Sequence, residues 1–151
     1  MSIGFSGPKG WVEQRWIVYA MLRDNVQHYL EGGEPTGEFE ALHSIAEVLG
    51  GKKLSVPARR LHEELVRAKA TLACRPLSDL AISLRTRSVL SFKWPPPERA
   101  ETILVSEWGG SVPMLNDTVR SMDDVFGHFV DALLQITEGA SASDVVEVAD
   151  L

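Results

Sequence analysis

The chain has 151 residues, 44% of them hydrophobic, and one cysteine, Cys74. That length suits a single domain able to bury a full-sized core, and one cysteine excludes an internal disulfide. The formal net charge of −6 argues against nucleic acid as the main partner, because phosphate binding needs a basic surface.

The charge is unevenly spread. Residues 1–75 hold ten Lys/Arg and nine Asp/Glu, whereas residues 76–151 hold five and twelve. From Asp117 onward there are eight acids and one base, Arg120. Such an acidic end keeps a protein in solution and can steer a basic partner. No run of eighteen apolar residues suggests a transmembrane helix, and Met1–Pro8 lacks the basic and apolar regions of a signal peptide. With a cysteine unsuited to disulfide formation, this points to a cytoplasmic protein with no membrane association.

In chain order, residues 1–9 read as a flexible lead, with Gly4, Gly7 and Pro8, and residues 10–151 as a single globular domain. Gly10 to Glu31 has helical spacing. Trp11, Val12, Trp16, Val18, Tyr19, Leu22, Val26, Tyr29 and Leu30 share one broad side, and Gly32-Gly33 is a stop. Ile17 and Met21 lie off that side, while Arg15 projects into it. Thr36 is placed to cap a second helix from Gly37 to Leu49, ended by Gly50-Gly51. Ser55 is placed to cap a third, which runs through Val56-Pro57 to Ala73 with Leu61, Leu65, Ala68 and Leu72 as a narrow core stripe.

From Leu80 to Trp94 the even positions are mostly apolar and the odd ones mostly polar, the period of a half-buried strand. A helix is the rival, since Leu77, Leu80, Ala81, Leu84 and Ser88 also share a face. Pro95-Pro96-Pro97 ends the element. Thr102 to Trp108 is a second β-prone run, bounded by Gly109-Gly110 and placed to pair with Leu90–Trp94 as a hairpin. Ser121 caps a final helix ending near Thr137, whose core face is Met122, Phe126, Phe129, Val130 and Leu133. Val145–Val148 is a short edge strand or a frayed end. The expected fold is therefore α+β: three N-terminal helices, a small antiparallel sheet or hairpin, and a C-terminal helix. The rival is an all-α bundle.

Two acid-and-histidine strips stand out. Glu40, His43 and Glu47 share one helix face, and so do Asp124, His128, Asp131 and Gln135. Either spacing suits metal ligands. Glu40-x-x-His43 has the order used in di-metal bundles, but those need two such motifs and His62-Glu63-Glu64 has the wrong spacing. Both strips lie opposite the apolar face of their helix, where solvent belongs, so no metal and no other cofactor is expected. There is no Gly-x-Ser-x-Gly elbow. Gly50-Gly51-Lys52-Lys53 falls short of a phosphate loop. Cys74 sits at a helix C-terminus, where the dipole disfavours a thiolate. Gly109-Gly110-Ser111 reads as a turn. Arg85, Arg87, Lys93 and Trp94 are too few for an RNA platform.

No catalytic constellation emerges. The expected function is a non-catalytic protein-binding domain, of the kind of an immunity or antitoxin-like inhibitor. Its partner is another protein with a basic surface, met by Asp124, His128, Asp131 and Gln135. The alternative is a small enzyme with a site assembled from distant residues, with Arg15, His43, His62, Trp108 and Ser111 as candidates.

Overall fold

The computed structural model describes residues 2–49, 51–83, 86, 101–104, 111–114 and 121–151. Strand β1 (Ser2–Gly7) and β2 (Gly10–Arg15) form a hairpin that leads into helix α1 (Trp16–Leu30). A short helix α2 (Glu40–Ser44) continues as a 3-10 turn to Val48, followed by β3 (Lys53–Pro57) and α3 (Ala58–Leu72). Strands β4 (Glu101–Leu104) and β5 (Ser111–Met114) pair with each other as a two-stranded ladder. Helix α4 (His128–Thr137) follows a π-helical turn at Asp123–Gly127, and β6 (Val145–Asp150) comes last. The main sheet has the order β2-β1-β6-β3, with every neighbouring pair antiparallel.

The fold is α+β as expected, and the four-stranded sheet excludes the all-α bundle. The layout differs from three leading helices. Residues 2–7 are no flexible lead: Ile3 and Phe5 are buried in the core and Ser2–Gly7 is flanked by β2 and β6. Residues 10–15 belong to a strand instead of extending α1. Val12 and Gln14 turn inward while Trp11, Glu13 and Arg15 are exposed, an alternation too short to outweigh the helical period that follows. Arg15 is thus on an exposed strand face, outside the apolar side of any helix. Two glycines shape the hairpin. A Cβ on Gly7 would come within 2.9 Å of the Ile136 carbonyl oxygen, and Gly10 takes a φ of 154°. The close approach lets the Lys9 amide donate to that carbonyl at 3.2 Å, satisfying one of the free acceptors at the end of α4.

Helix α1 is buried on most sides, Ile17 and Met21 included. It ends as its glycines suggest: Gly32 and Gly33 have positive φ, and the Gly33 amide donates to the Gln27 carbonyl at 2.9 Å. The second helix is shorter than 37–49, because the exposed Thr36 engages Glu31 and does not cap it. Ser55 lies in β3, where its hydroxyl donates to Glu147 Oε1 at 2.7 Å, so α3 starts only after Pro57. Its stripe of Leu61, Leu65, Ala68 and Leu72 is fully buried. The α3 end is tied to the next helix by the Met122 amide, which donates to the Arg75 carbonyl at 3.1 Å.

Leu80 and Ile82 are buried, but so is Ala81, and 80–83 form no strand. The remainder of the 80–94 element, apart from the buried Thr86, and the 90–94 hairpin partner lie outside the described residues, as do 105–110. Val145–Val148 is neither edge nor frayed: β6 sits between β1 and β3. The core joins Ile3, Phe5, Val56, Val146 and Val148 of the sheet to the inner faces of α1, α3 and α4. Phe5 meets Phe129 at a ring-centroid distance of 5.4 Å. Among the described residues no helix is long and apolar enough to cross a membrane.

Candidate functional site

The strip Asp124, His128, Asp131 and Gln135 lies exposed along α4 and the π turn before it, while Phe126, Phe129, Val130 and Leu133 on the opposite side are buried. The start of this segment is fixed by a reciprocal cap. The Ser121 amide donates to Asp124 Oδ2 at 3.0 Å, and the Asp124 amide to Ser121 Oγ at 3.4 Å. Gly127 permits the π turn, since a Cβ there would lie 2.2 Å from Asp123 Oδ1. Two of the strip's acids therefore also have contacts within the fold. Asp124 serves the cap, and Asp131 accepts from Lys69 Nζ of α3 at 2.5 Å. That bond to Asp131 raises the Lys69 pKa above its usual value.

The other strip does not stay together. Glu40 turns out to Arg60 at 3.2 Å, whereas His43 turns inward. The His43 Nε2 meets Glu31 Oε1, and the other oxygen of that buried carboxylate accepts from the Thr36 amide at 2.9 Å and its hydroxyl at 3.3 Å. His43 is thus part of an internal network that holds the α1–α2 connection, and not a solvated ligand. Among the described residues no group of three His, Cys, Asp or Glu side chains is gathered closely enough to hold a metal ion.

Buried polar groups that sequence reasoning missed do structural work beside it. Glu64 is fully buried and accepts from the Ala41 and Leu42 amides at 3.2 and 2.9 Å and from Arg60 Nε at 3.1 Å. It supplies the cap that α2 lacks in its own sequence. Asn25 donates to the Ala81 carbonyl and accepts from the Ala81 amide, both at 2.9 Å, while Asp24 accepts from the Ser83 amide at 3.1 Å. Both were detectable as polar residues within or beside apolar helix faces: Glu64 among Leu61, Leu65 and Ala68, and Asn25 among Leu22, Val26 and Tyr29.

Among the described side chains, the distant-residue enzyme candidates Arg15, His43 and His62 are not gathered. His43 faces Glu31, and His62 Nδ1 faces Thr137 Oγ1 at 2.9 Å. Since the Thr137 hydroxyl donates to the Leu133 carbonyl at 2.8 Å, it accepts from His62, which fixes the Nδ1–H tautomer. Ser111 opens β5, and Trp108 lies outside the described residues, as do Arg85, Arg87, Lys93, Trp94 and the proline triplet. Cys74 is exposed. An open groove of about 530 Å³ runs beside the start of α3, lined by Glu38, Arg59, Arg60, Glu63, Glu64 and Arg67. Its three arginines face three glutamates, so it offers no net charge to an ionic substrate. Comparison with known proteins adds no relative: no family model matches the chain, and no curated protein or solved structure is significantly similar to it.

Proposed function

We propose that the chain is a non-catalytic protein-binding domain that presents Asp124, His128, Asp131 and Gln135 to a partner with a basic surface. The observation that carries this reading is the outward orientation of all four side chains on a helix whose opposite side is locked into the core. A rigid element with a polar, acidic face positions charges without an ordering cost on binding. Lys69 offsets Asp131 in part, and Asp123 and Asp124 at the N-terminal end of the strip are both exposed. The narrower form of the proposal is an immunity or antitoxin-like inhibitor that covers the basic active site of a toxin or nuclease.

The test uses Asp124→Asn with Asp131→Asn. Asparagine keeps an oxygen able to accept from Ser121, so the cap survives while two charges are removed. The full chain and the double variant are immobilised, and proteins of the native host are captured at low and at physiological salt. A basic protein retained by the first and lost by the second supports the proposal, and faster association at low salt should accompany it. Equal capture by both forms sinks it. Neutralisation of a toxic partner on co-expression tests the narrower form.

A further inference from the structure

Among the described residues the main sheet carries its helices on one face only. Its other face follows from the register: Ser2, Gly4 and Ser6 of β1 lie opposite Arg15, Glu13 and Trp11 of β2, and Ser6 and Gly4 lie opposite Glu147 and Ala149 of β6. Glu147, Ala149 and Val145 in turn oppose Ser55, Lys53 and Pro57 of β3. This face holds three of the four exposed large apolar side chains among the described residues: Trp11 at 58%, Val145 at 43% and Leu151 at 59%. Leu151 folds back over Gly4, where a Cβ would lie 3.1 Å from it. Apart from Val145 and the overlying Leu151, the two central strands show only small groups and Glu147 here, so Trp11 projects at one edge beside a shallow floor. Isolated exposed apolar residues are ordinary, but a cluster on one open sheet face marks a contact surface.

The charges say what fits it. Glu13 on the β2 edge and Lys53 on the β3 edge stand in one cross-strand row, with Gly4 and Ala149 between them. A two-fold axis parallel to the strands sets β2 over the partner's β3 and β1 over the partner's β6. Glu13 then faces the partner's Lys53, twice per dimer, and Trp11 covers the partner's Ser55, large against small. An axis across the strands would instead stack Glu13 on the partner's Glu13, which is repulsive. We propose that this face is the interface of a homodimer formed by stacking two copies of the sheet about an axis parallel to the strands. Four strands about 4.8 Å apart, rising about 3.3 Å per residue, give a face of roughly 20 Å by 20 Å. Two such faces with their side-chain relief bury on the order of 1,000 Å², the lower end for specific association. The dimer is therefore weak and concentration-dependent, and it leaves both α4 strips facing outward.

Sedimentation velocity on the full chain from about 1 to 500 µM tests this, a range that brackets a weak interface. The expected result is a monomer mass that rises toward twice its value with concentration. Trp11→Ala should weaken association about tenfold or more, with an unchanged far-ultraviolet spectrum, because the side chain is exposed in the monomer. Glu13→Lys and Lys53→Glu should each weaken it by about tenfold at low salt, and the two together should return it to within about threefold of the starting value. A chain that stays monomeric throughout overturns the proposal. So does a dimer that ignores the charge swaps, which would place the contact elsewhere, such as at a sheet edge.

Discussion

Tyr19 donates its hydroxyl to the Leu42 carbonyl at 2.6 Å from a site with no solvent exposure. Burial pushes its pKa up from the usual value near 10, with Arg23 opposing only in part. The folded state thus holds the proton more tightly than the unfolded one. The stability this contributes is complete below about pH 10 and is lost as pH rises from there toward the folded value. Tyr19→Phe removes both the hydrogen bond and the titration. It should lower stability by about 1 kcal/mol at pH 7, while the native chain should lose on the order of 1 kcal/mol more than the variant by pH 11. Urea denaturation at pH 7, 10 and 11 measures the gap, which should close with rising pH; a constant gap would mean that Tyr19 ionises freely. Lys69, also raised, is common to both proteins and cancels. At this scale the sequence shows which residues are out of place more readily than what they do. A glutamate in the stripe of α3 and an asparagine in that of α1 are visible from spacing alone. Their partners, the amides of residues 41, 42 and 81, are set by tertiary packing that no local pattern encodes.

The α4 segment was the most legible element, because Ser121, three apolar turns and Gly139 give start, face and stop within one stretch of chain. Only its π turn was hidden, since Gly127 and Asp123 look like an ordinary exposed turn of α-helix. The cap is testable. Ser121→Ala removes the acceptor of the Asp124 amide and should cost about 1 kcal/mol, read as a lower urea midpoint with unchanged slope. A loss below about 0.3 kcal/mol would show the Asp124 side chain alone to be sufficient. Strands β1 and β2 were illegible for the converse reason, and β6 was legible only as a short edge strand or a frayed end. Each has six residues, and its inward positions acquire meaning only beside partners far away in sequence. Gly4 and Gly7 suggest a loose lead when read locally; in the sheet they are where Leu151 and the Ile136 carbonyl come close. The strip on α4 was likewise legible as an outward face, whereas the inward turn of His43 depends on Glu31 from another element.

On the scale of the whole molecule, the α+β class is readable from the mixture of periodicities, but local alternation points to residues 80–108 and not to the strands that build the main sheet. Its centre is β1 against β6, with Ile3 opposite Asp150, and β6 also holds β3. Removal of residues 145–151 should therefore unmake the sheet rather than trim it, since β1 loses one neighbour and β3 its only one among the described strands. The expected outcome is loss of near-ultraviolet circular dichroism and of a cooperative urea transition; a truncated chain that still unfolds cooperatively would contradict it. The same arrangement governs the protein's birth. A ribosome releases β1 well before β6, so the hairpin of β1 and β2 must wait with an unpaired edge while residues 16–144 are made. Helices α1 and α3 emerge in the interval with apolar faces and no sheet to cover them. Such an order of synthesis delays closure of the sheet, slowed further by the long stretch of chain that joins the two strands, and keeps apolar surface open to aggregation until β6 is free.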